Sequence, residues 1–505
     1  MSRAFRAIIR HGLKRGLPSR AGFSRRDFLK GSSKVGAAAA LAALLPVDLA
    51  CTQNAARDQS GRGKRFIIVG GGFAGLTCAD TLRDAGADVV VLESADRVGG
   101  RVFTDRQFIS NKSVELGGEL VGTIHPTWFH YAKKYKLEMA ELEEYEGDDA
   151  VIVNGKLLTE DELTKLWEEW DAVTAQILDA AAPIDPVRPW KSPGAADLDR
   201  TSYLDAINRM EMSDVTRQYM IVATEADQGV TADKQSMLGY LSMVKGGGLA
   251  DYFENSETHR CQGGNDRLAR AISKKLGDRV NLNTQVSSIE RRADGVTVTT
   301  AGGATYEGDA VVLAIPPSVW DSVSITPAID ASVKPQMGSN VKLILALKSP
   351  AWEEKNLSPD LESDGLINYA WVSADAGEEG PPIGYTFFSG ATDSEALRAL
   401  SPEERPRQAI ASVAPAYPSM SDAVLKHRFM DWPSMPRAKA SYSFPAPGQI
   451  TAFGPTLVDG ITADGLAPLK FAGEHTSYAF IGYMEGALSS GVRTARQLLA
   501  KPAKV

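Results

Sequence analysis

Gly70, Gly72 and Gly75 stand in the run Lys64-Arg65-Phe66-Ile67-Ile68-Val69-Gly70-Gly71-Gly72-Phe73-Ala74-Gly75. Their spacing is G-x-G-x-x-G, and the chemistry it serves is the binding of a dinucleotide pyrophosphate. The first glycine permits a tight turn, the second lets backbone approach phosphate, and the third lets a helix pack close to the preceding strand. The helix start offers free N–H groups and a partial positive charge to the phosphates. Alone, the pattern is a weak signal. Glu93 strengthens it, because this carboxylate ends a second apolar strand, Asp88 to Leu92, where an acid would meet the ribose hydroxyls. Gly99-Gly100-Arg101 adds a second close-approach turn and a guanidinium able to pair bidentately with phosphate. Cys51, Cys78 and Cys261 are widely spaced and the six histidines are scattered, so neither a metal centre nor a disulfide framework is expected.

Elements must hold these residues. At 505 residues the chain calls for two domains, a hydrophobic fraction of 43% suits a globular protein, and the strand–glycine–helix unit makes it α/β. No apolar run reaches the ~18 residues of a membrane span. The first 63 residues carry 12 Lys/Arg against 3 Asp/Glu, whereas the remainder carries 43 against 60, a net of −17. An acidic body argues against nucleic acid as a partner. The glycine turn predicts a helix over residues 74–84, ended by Gly86. Residues 125–255 lack strand–helix alternation and read as helical, with helices over 160–182, 204–210 and 218–226; Trp167 and Trp170 fall at helical spacing as core. Strands follow over 280–282, 286–291, 295–300 and 309–315, the last stopped by Pro316-Pro317. A further strand over 341–347 carries one lysine, Lys342, inside an apolar run, where an unpaired charge would be costly. Strands over 367–372 and 384–390 follow. Near the end, Leu469-Lys470-Phe471-Ala472-Gly473-Glu474 reads as strand and turn, and a helix is expected to open at Gly482-Tyr483-Met484.

The N-terminus reads as an address. Ser24-Arg25-Arg26-Asp27-Phe28-Leu29-Lys30 precedes a modestly apolar run and Pro46, and resembles the bacterial twin-arginine signal. Export through the twin-arginine machinery to the periplasm or medium follows as an expectation, with residues 1–50 as signal and 51–63 as linker. Leu49-Ala50-Cys51 hints at a lipid anchor, but Asp48 stands where that motif wants an aliphatic residue, which disfavours it.

Glu93, Gly99-Gly100-Arg101 and the glycine turn Glu115-Leu116-Gly117-Gly118-Glu119 resemble the first flavin-binding segment of the flavin-dependent amine oxidases, a family that includes monoamine oxidases, L-amino-acid oxidases and polyamine oxidases. Gly263-Gly264-Asn265-Asp266-Arg267-Leu268, the Pro316-Pro317 stop, and Phe471-Ala472-Gly473-Glu474-His475-Thr476-Ser477 followed by Gly482-Tyr483-Met484-Glu485-Gly486-Ala487 extend the likeness over residues 64–500. The resemblance implies a Rossmann-type FAD-binding domain with a mixed β-sheet, from residues 64–124, 256–335 and 426–501. It also implies an interleaved, helical substrate-binding domain from 125–255 and 336–425. It implies FAD contacts at Gly70, Gly72, Phe73, Ala74, Gly75, Glu93, Gly100, Arg101, Gly117, Gly118, Glu119, Val286, Gly473, Glu474 and Met484. Lys342 would match the lysine that holds a water beside the flavin; the plainer reading is a strand-end lysine reaching solvent.

Two departures from the family matter. Animal monoamine oxidases hold flavin through a cysteine, whereas the matching position here is Ala440 or Ser441, so FAD is expected to be non-covalent. The same one-residue ambiguity places an aromatic-cage residue at Ser441 or Tyr442; Tyr442 is preferred because with Tyr483 it supplies two aromatic walls for an amine. Second, Glu119 stands near where venom-type L-amino-acid oxidases carry a carboxylate-binding arginine, which favours amines without a carboxylate. The reaction implied is FAD-dependent oxidation of an amine C–N bond to an imine, hydrolysed to a carbonyl compound and ammonia or amine, with oxygen reduced to hydrogen peroxide. The alternatives are an L-amino-acid oxidase and a flavin dehydrogenase that uses a periplasmic electron carrier.

Overall fold

The computed structural model describes residues 60–143, 145–374 and 380–500. The twin-arginine stretch and Cys51 lie outside these residues. Five strands form a parallel sheet in the order Leu469–Phe471, Ala310–Leu313, Arg65–Val69, Asp88–Leu92, Val280–Asn281. Arg65–Val69 is central, and both its faces are covered. Successive side chains therefore enter different cores: Phe66 and Ile68 one, Ile67 and Val69 the other. The helices Phe73–Asp84 and Met484–Leu499 pack in the first core. They approach closely at Gly491, where a Cβ would lie 2.2 Å from Thr77 Oγ1. A four-stranded sheet, Thr305–Gly308, Gly295–Thr300, Val286–Arg292 and Ser324–Thr326, covers the second core. This is a Rossmann-type domain.

The second layer is a seven-stranded mixed sheet in the order Val424–Asp431, Asn340–Leu347, Ile383–Gly390, Tyr369–Ala374, Leu357–Ser363, Asp148–Val153, Lys156–Leu157. Helices Glu160–Ala181, Asp214–Gln228 and Met237–Gly246 build a separate core that buries Trp167 and Trp170. Thr159 caps the first of these with a capping box completed by Glu162.

Several expected boundaries move. The helix expected over 204–210 is Tyr203–Ile207, and that over 218–226 is Asp214–Gln228, capped by the Ser213 side chain. The C-terminal helix opens at Met484 rather than Gly482, with Tyr483 as its N-cap. The segment 125–255 is not wholly helical. Asp148–Val153 and Lys156–Leu157 form a hairpin on the mixed sheet. Its signal was present in Asn154-Gly155, which turn at φ 52° and 70°, the positive pair favoured in two-residue hairpin loops. The helix Pro126–Lys134 buries Trp128 and Tyr131 in the nucleotide-side core. The strand Val424–Asp431 runs through the expected boundary at 425/426, because it pairs along its length with Asn340–Leu347. As the edge strand it exposes Lys426, His427 and Arg428, so its sequence does not read as buried.

Candidate active site

The three motif glycines do separate work. Gly70 holds φ at +110°, and a Cβ there would lie 2.5 Å from the Ala314 carbonyl oxygen. A Cβ on Gly75 would meet the Gly70 carbonyl oxygen at 2.0 Å, so only glycine lets the helix sit this close. Gly72 faces open space, with nothing within 4 Å of its missing Cβ, and caps the helix Phe73–Asp84 without a side chain or an acid in the first turn. That is a free helix N-terminus behind a bare backbone, which fits a pyrophosphate. Glu93 lies beside it: its carboxylate accepts from Gly71 N at 2.6 Å and Ala95 N at 2.7 Å. Thr284 N donates to the Glu93 carbonyl at 2.7 Å, which brings Val286, at the start of its strand, to the same edge. Gly99 N donates to Gly71 O at 2.9 Å, so the second glycine turn, with Gly100 at φ +58°, lies against the first.

Arg101, next in line, donates from Nη1 to Glu474 at 2.9 Å and to the Ser441 carbonyl at 2.6 Å. That nitrogen ties three distant segments together. The turn at Gly117 and Gly118 is wedged between Arg101 and the last helix. A Cβ on Gly117 would strike the Arg101 carbonyl oxygen at 1.9 Å, and one on Gly118 would lie 3.0 Å from the Met484 side chain.

Lys342 does not reach solvent. It shares the face of its strand with Ile344 and Ala346, and is 6% exposed. Nζ donates to Glu115 O at 3.1 Å, Gly117 O at 2.9 Å and Glu119 Oε2 at 2.8 Å. Glu119, expected among the cofactor contacts, directs its carboxylate here: Oε1 accepts from Trp371 Nε1 at 3.0 Å and lies 3.6 Å from Arg260 Nη2. Burial works against a charged Glu119, but Lys342 and Arg260 outweigh it and hold the carboxyl below the usual glutamate range. Glu115 is pushed up to about 7 by burial, although Asn265 N and the Thr104 hydroxyl donate to it.

Tyr442 and Tyr483 are brought together at Gly482. A Cβ on Gly482 would lie 3.1 Å from the Tyr442 ring, and Tyr483 follows directly. The Tyr442 hydroxyl donates to the Asp227 carbonyl at 2.6 Å. The Tyr483 ring lies 5.4 Å from His125 and 6.5 Å from Tyr252. Burial first, then the nearby carboxylates of Asp227 and Glu257, raise both phenols well above the ordinary tyrosine value, so both stay neutral. Glu474 holds this pair in place. Its buried carboxylate accepts from Ser443 N at 3.2 Å, Ser443 Oγ at 2.6 Å and Gly482 N at 3.0 Å. These residues adjoin Tyr442 and Tyr483. Sequence reasoning missed Trp371, Arg260, Asp227 and Ser443, none of which stands in a motif; all are recruited from other segments. Among the described residues there is no group of three His, Cys, Asp or Glu able to hold a metal, and no helix long and apolar enough to cross a membrane.

The family described as flavin containing amine oxidoreductase matches residues 73–499. Human amine oxidase (flavin-containing) B is 28% identical over 466 residues, covering 87% of this chain and 86% of that protein. The Danio rerio amine oxidase (flavin-containing) is 26% identical over 468 residues, with the same coverage of 87% and 86%. Among solved structures, wild-type putrescine oxidase bound to putrescine superimposes with a TM-score of 0.77 at 25% identity, covering 87% of this chain and 99% of that one. Cyclohexylamine oxidase from Brevibacterium oxydans IH-35A shares the fold, with a TM-score of 0.78 at 24% identity over 86% of this chain and 98% of that one. Gly75, the Glu93 carboxylate and the aromatic pair thus lie within the family match, and the chain belongs to the flavin-containing amine oxidoreductases, with FAD as its cofactor and an amine as the compound it oxidises.

Proposed function

We propose that the chain oxidises an amine that carries no carboxylate, giving an imine that water converts to a carbonyl compound and ammonia or amine, and that oxygen is reduced to hydrogen peroxide. The observation that carries this reading is the pair Tyr442 and Tyr483, two neutral aromatic faces at Gly482 with Asp227 and Glu257 close enough to act on both. Such faces orient an amine nitrogen, and nearby acids favour a cation over an anion. Two-electron oxidation is the chemistry that FAD supplies when bound. Gly70, Gly72, Phe73, Ala74, Gly75, Glu93 and Val286 would hold its adenosine and pyrophosphate. Gly100, Arg101, Gly117, Gly118, Gly473, Glu474 and Met484 would line its ring end, and Lys342 would stand where oxygen is reduced. FAD is held without a covalent bond. Ala440, Ser441 and Tyr442 offer no thiol, and Cys78 and Cys261 are buried. Purified protein should therefore be yellow and release its flavin on acid or heat treatment; flavin that stays with the denatured chain would contradict this.

L-Amino-acid oxidation is disfavoured because Arg101 and Arg260, which border the site, are engaged by Glu474 and Glu119. A panel of amines and L-amino acids separates the readings. Peroxide formed in step with carbonyl product from amines is expected. Peroxide from amino acids alone would make the chain an amino-acid oxidase, and turnover only with an added electron acceptor would make it a dehydrogenase.

Tyr483 should form one wall of the substrate space. Tyr483→Phe keeps the face and should be mild. Tyr483→Leu removes it and should lower kcat/KM by roughly tenfold, about 1.4 kcal/mol, with flavin content intact. Full activity in the leucine variant would remove the wall from the mechanism.

Export by the bacterial twin-arginine route to the periplasm or medium is part of the same proposal. Replacing Arg25 and Arg26 by lysine should hold the protein in the cytoplasm, as cell fractionation would reveal.

A further inference from the structure

Lys342 has three ammonium hydrogens and three acceptors, of which Glu115 O and Gly117 O are neutral carbonyls. Only Glu119, at 2.8 Å, brings a full charge. Its strand neighbours Met430 and Phe388 are apolar, and Trp371 lies with its ring 5.4 Å from Nζ. The titratable groups that face the ammonium are Glu119 and Glu115 from the glycine turn and Arg260 from the strand His259–Cys261. Arg260 is fixed by the carbonyls of Val372 and Ser373, so it cannot swing away. Glu119 thus sits between two buried cations, one aimed into the turn and one fixed behind it. Without its charge, Lys342 would keep two carbonyls and face an arginine in a dry site, an arrangement that favours loss of its proton.

We propose that Glu119 is a positioning residue for Lys342: its carboxylate aims the lysine Nζ into the turn at 115–119 and supplies the full opposite charge beside it. The inference rests on the reading of Lys342 as the residue at the oxygen step, and deepens it by assigning the group that prepares the lysine. Glu119 does not touch substrate in this role. It acts through Lys342, and the effect is confined to reoxidation.

The test uses the flavin-loaded protein and the variants Glu119→Gln, Glu119→Asp and Lys342→Met. Stopped-flow reoxidation in the parent should be flat from about pH 8 to 10, above the titration of the neighbouring Glu115, which burial pushes up to about 7. Glu119→Gln should introduce an ionisation within that window and lose roughly tenfold in reoxidation at its alkaline end, while reduction by amine changes little. Glu119→Asp, which keeps the charge, should keep the flat profile. A second readout does not depend on turnover. In Glu119→Gln the folded lysine loses its proton below the unfolded value of about 10.4. Between those two values the unfolded chain binds more protons, so the stability deficit against the parent should shrink as pH rises from about 8 to 10. A flat reoxidation profile and a pH-independent deficit in Glu119→Gln, with Lys342→Met still slow to reoxidise, would overturn the proposal and leave Glu119 structural. If Lys342→Met itself reoxidises like the parent, the reading of Lys342 fails instead. Should Glu119→Gln not retain flavin, a pH-dependent profile in Glu119→Asp overturns the proposal and a flat one supports it.

Discussion

Lys342→Met should slow reoxidation of the reduced flavin by roughly a hundredfold, the scale on which removal of one preorganised charged donor acts in a dry site. Reduction by amine should change by only a few fold. The geometry motivates the separation: Lys342 reaches from its strand into the turn at 115–119, whereas Tyr442 and Tyr483 are positioned by Glu474 and Gly482. Loss of the lysine also leaves Glu119 with Trp371 and a more distant Arg260, and breaking one side of a buried pair costs about 3–5 kcal/mol. Lys342→Met combined with Glu119→Gln should therefore be more stable than Lys342→Met alone while reoxidising as slowly. Stopped-flow traces of the two half-reactions decide the matter. Equal effects on both, or none, would return Lys342 to a purely structural role.

Glu474→Ala should be the most damaging single change to the site. One carboxylate, 4% exposed, accepts from Arg101 Nη1, Ser443 N, Ser443 Oγ and Gly482 N. Removing it leaves a half-buried guanidinium without its charge partner and two backbone N–H groups without acceptors, a cost of about 3–5 kcal/mol. Flavin retention should fall with it, since Arg101, Gly482 and both tyrosines lose their common anchor. Thermal unfolding and flavin content measure the two effects. Stability within about 1 kcal/mol of the parent, less than one charged hydrogen bond is worth, would show the carboxylate to be dispensable. The same residue sets an acid limit. Burial opposes its charge, but Arg101, His475 and the Ser443 bond outweigh it, so its folded carboxyl lies below the ordinary glutamate value of 4.5. A carboxyl lowered in the folded state stabilises above that ordinary value, and its contribution is lost as pH falls through the lowered one. In Glu474→Ala this share of acid sensitivity should be absent.

Local features were legible from the residues alone. The strand–glycine–helix unit at 65–84, the half-buried strand at 295–300 and the buried one at 341–347, and the buried Trp167 and Trp170 depend on turn sterics and on periods of 2 and 3.6, which act between near neighbours. The hairpin at 148–157 was legible too, through Asn154-Gly155, but lay in a segment otherwise dominated by helical patterns. The edge strand Val424–Asp431 was not, because its charged residues reflect exposure at a sheet edge that only the pairing with Asn340–Leu347 creates.

The chemistry of individual groups lay beyond local pattern. A lysine in an apolar strand is consistent with snorkelling or with burial, and the outcome depends on Glu119 and Trp371, which reach it from other segments. That Arg101 also joins Glu474 and the Ser441 carbonyl could not be read from its own segment. The sequence by itself determined the nucleotide cradle and the family, because backbone sterics and motif spacing are properties of short stretches. Only the tertiary structure decided which charges are paired and which tyrosines share an anchor, because those contacts join residues far apart in the chain and form only once both sheets and the C-terminal helix have packed.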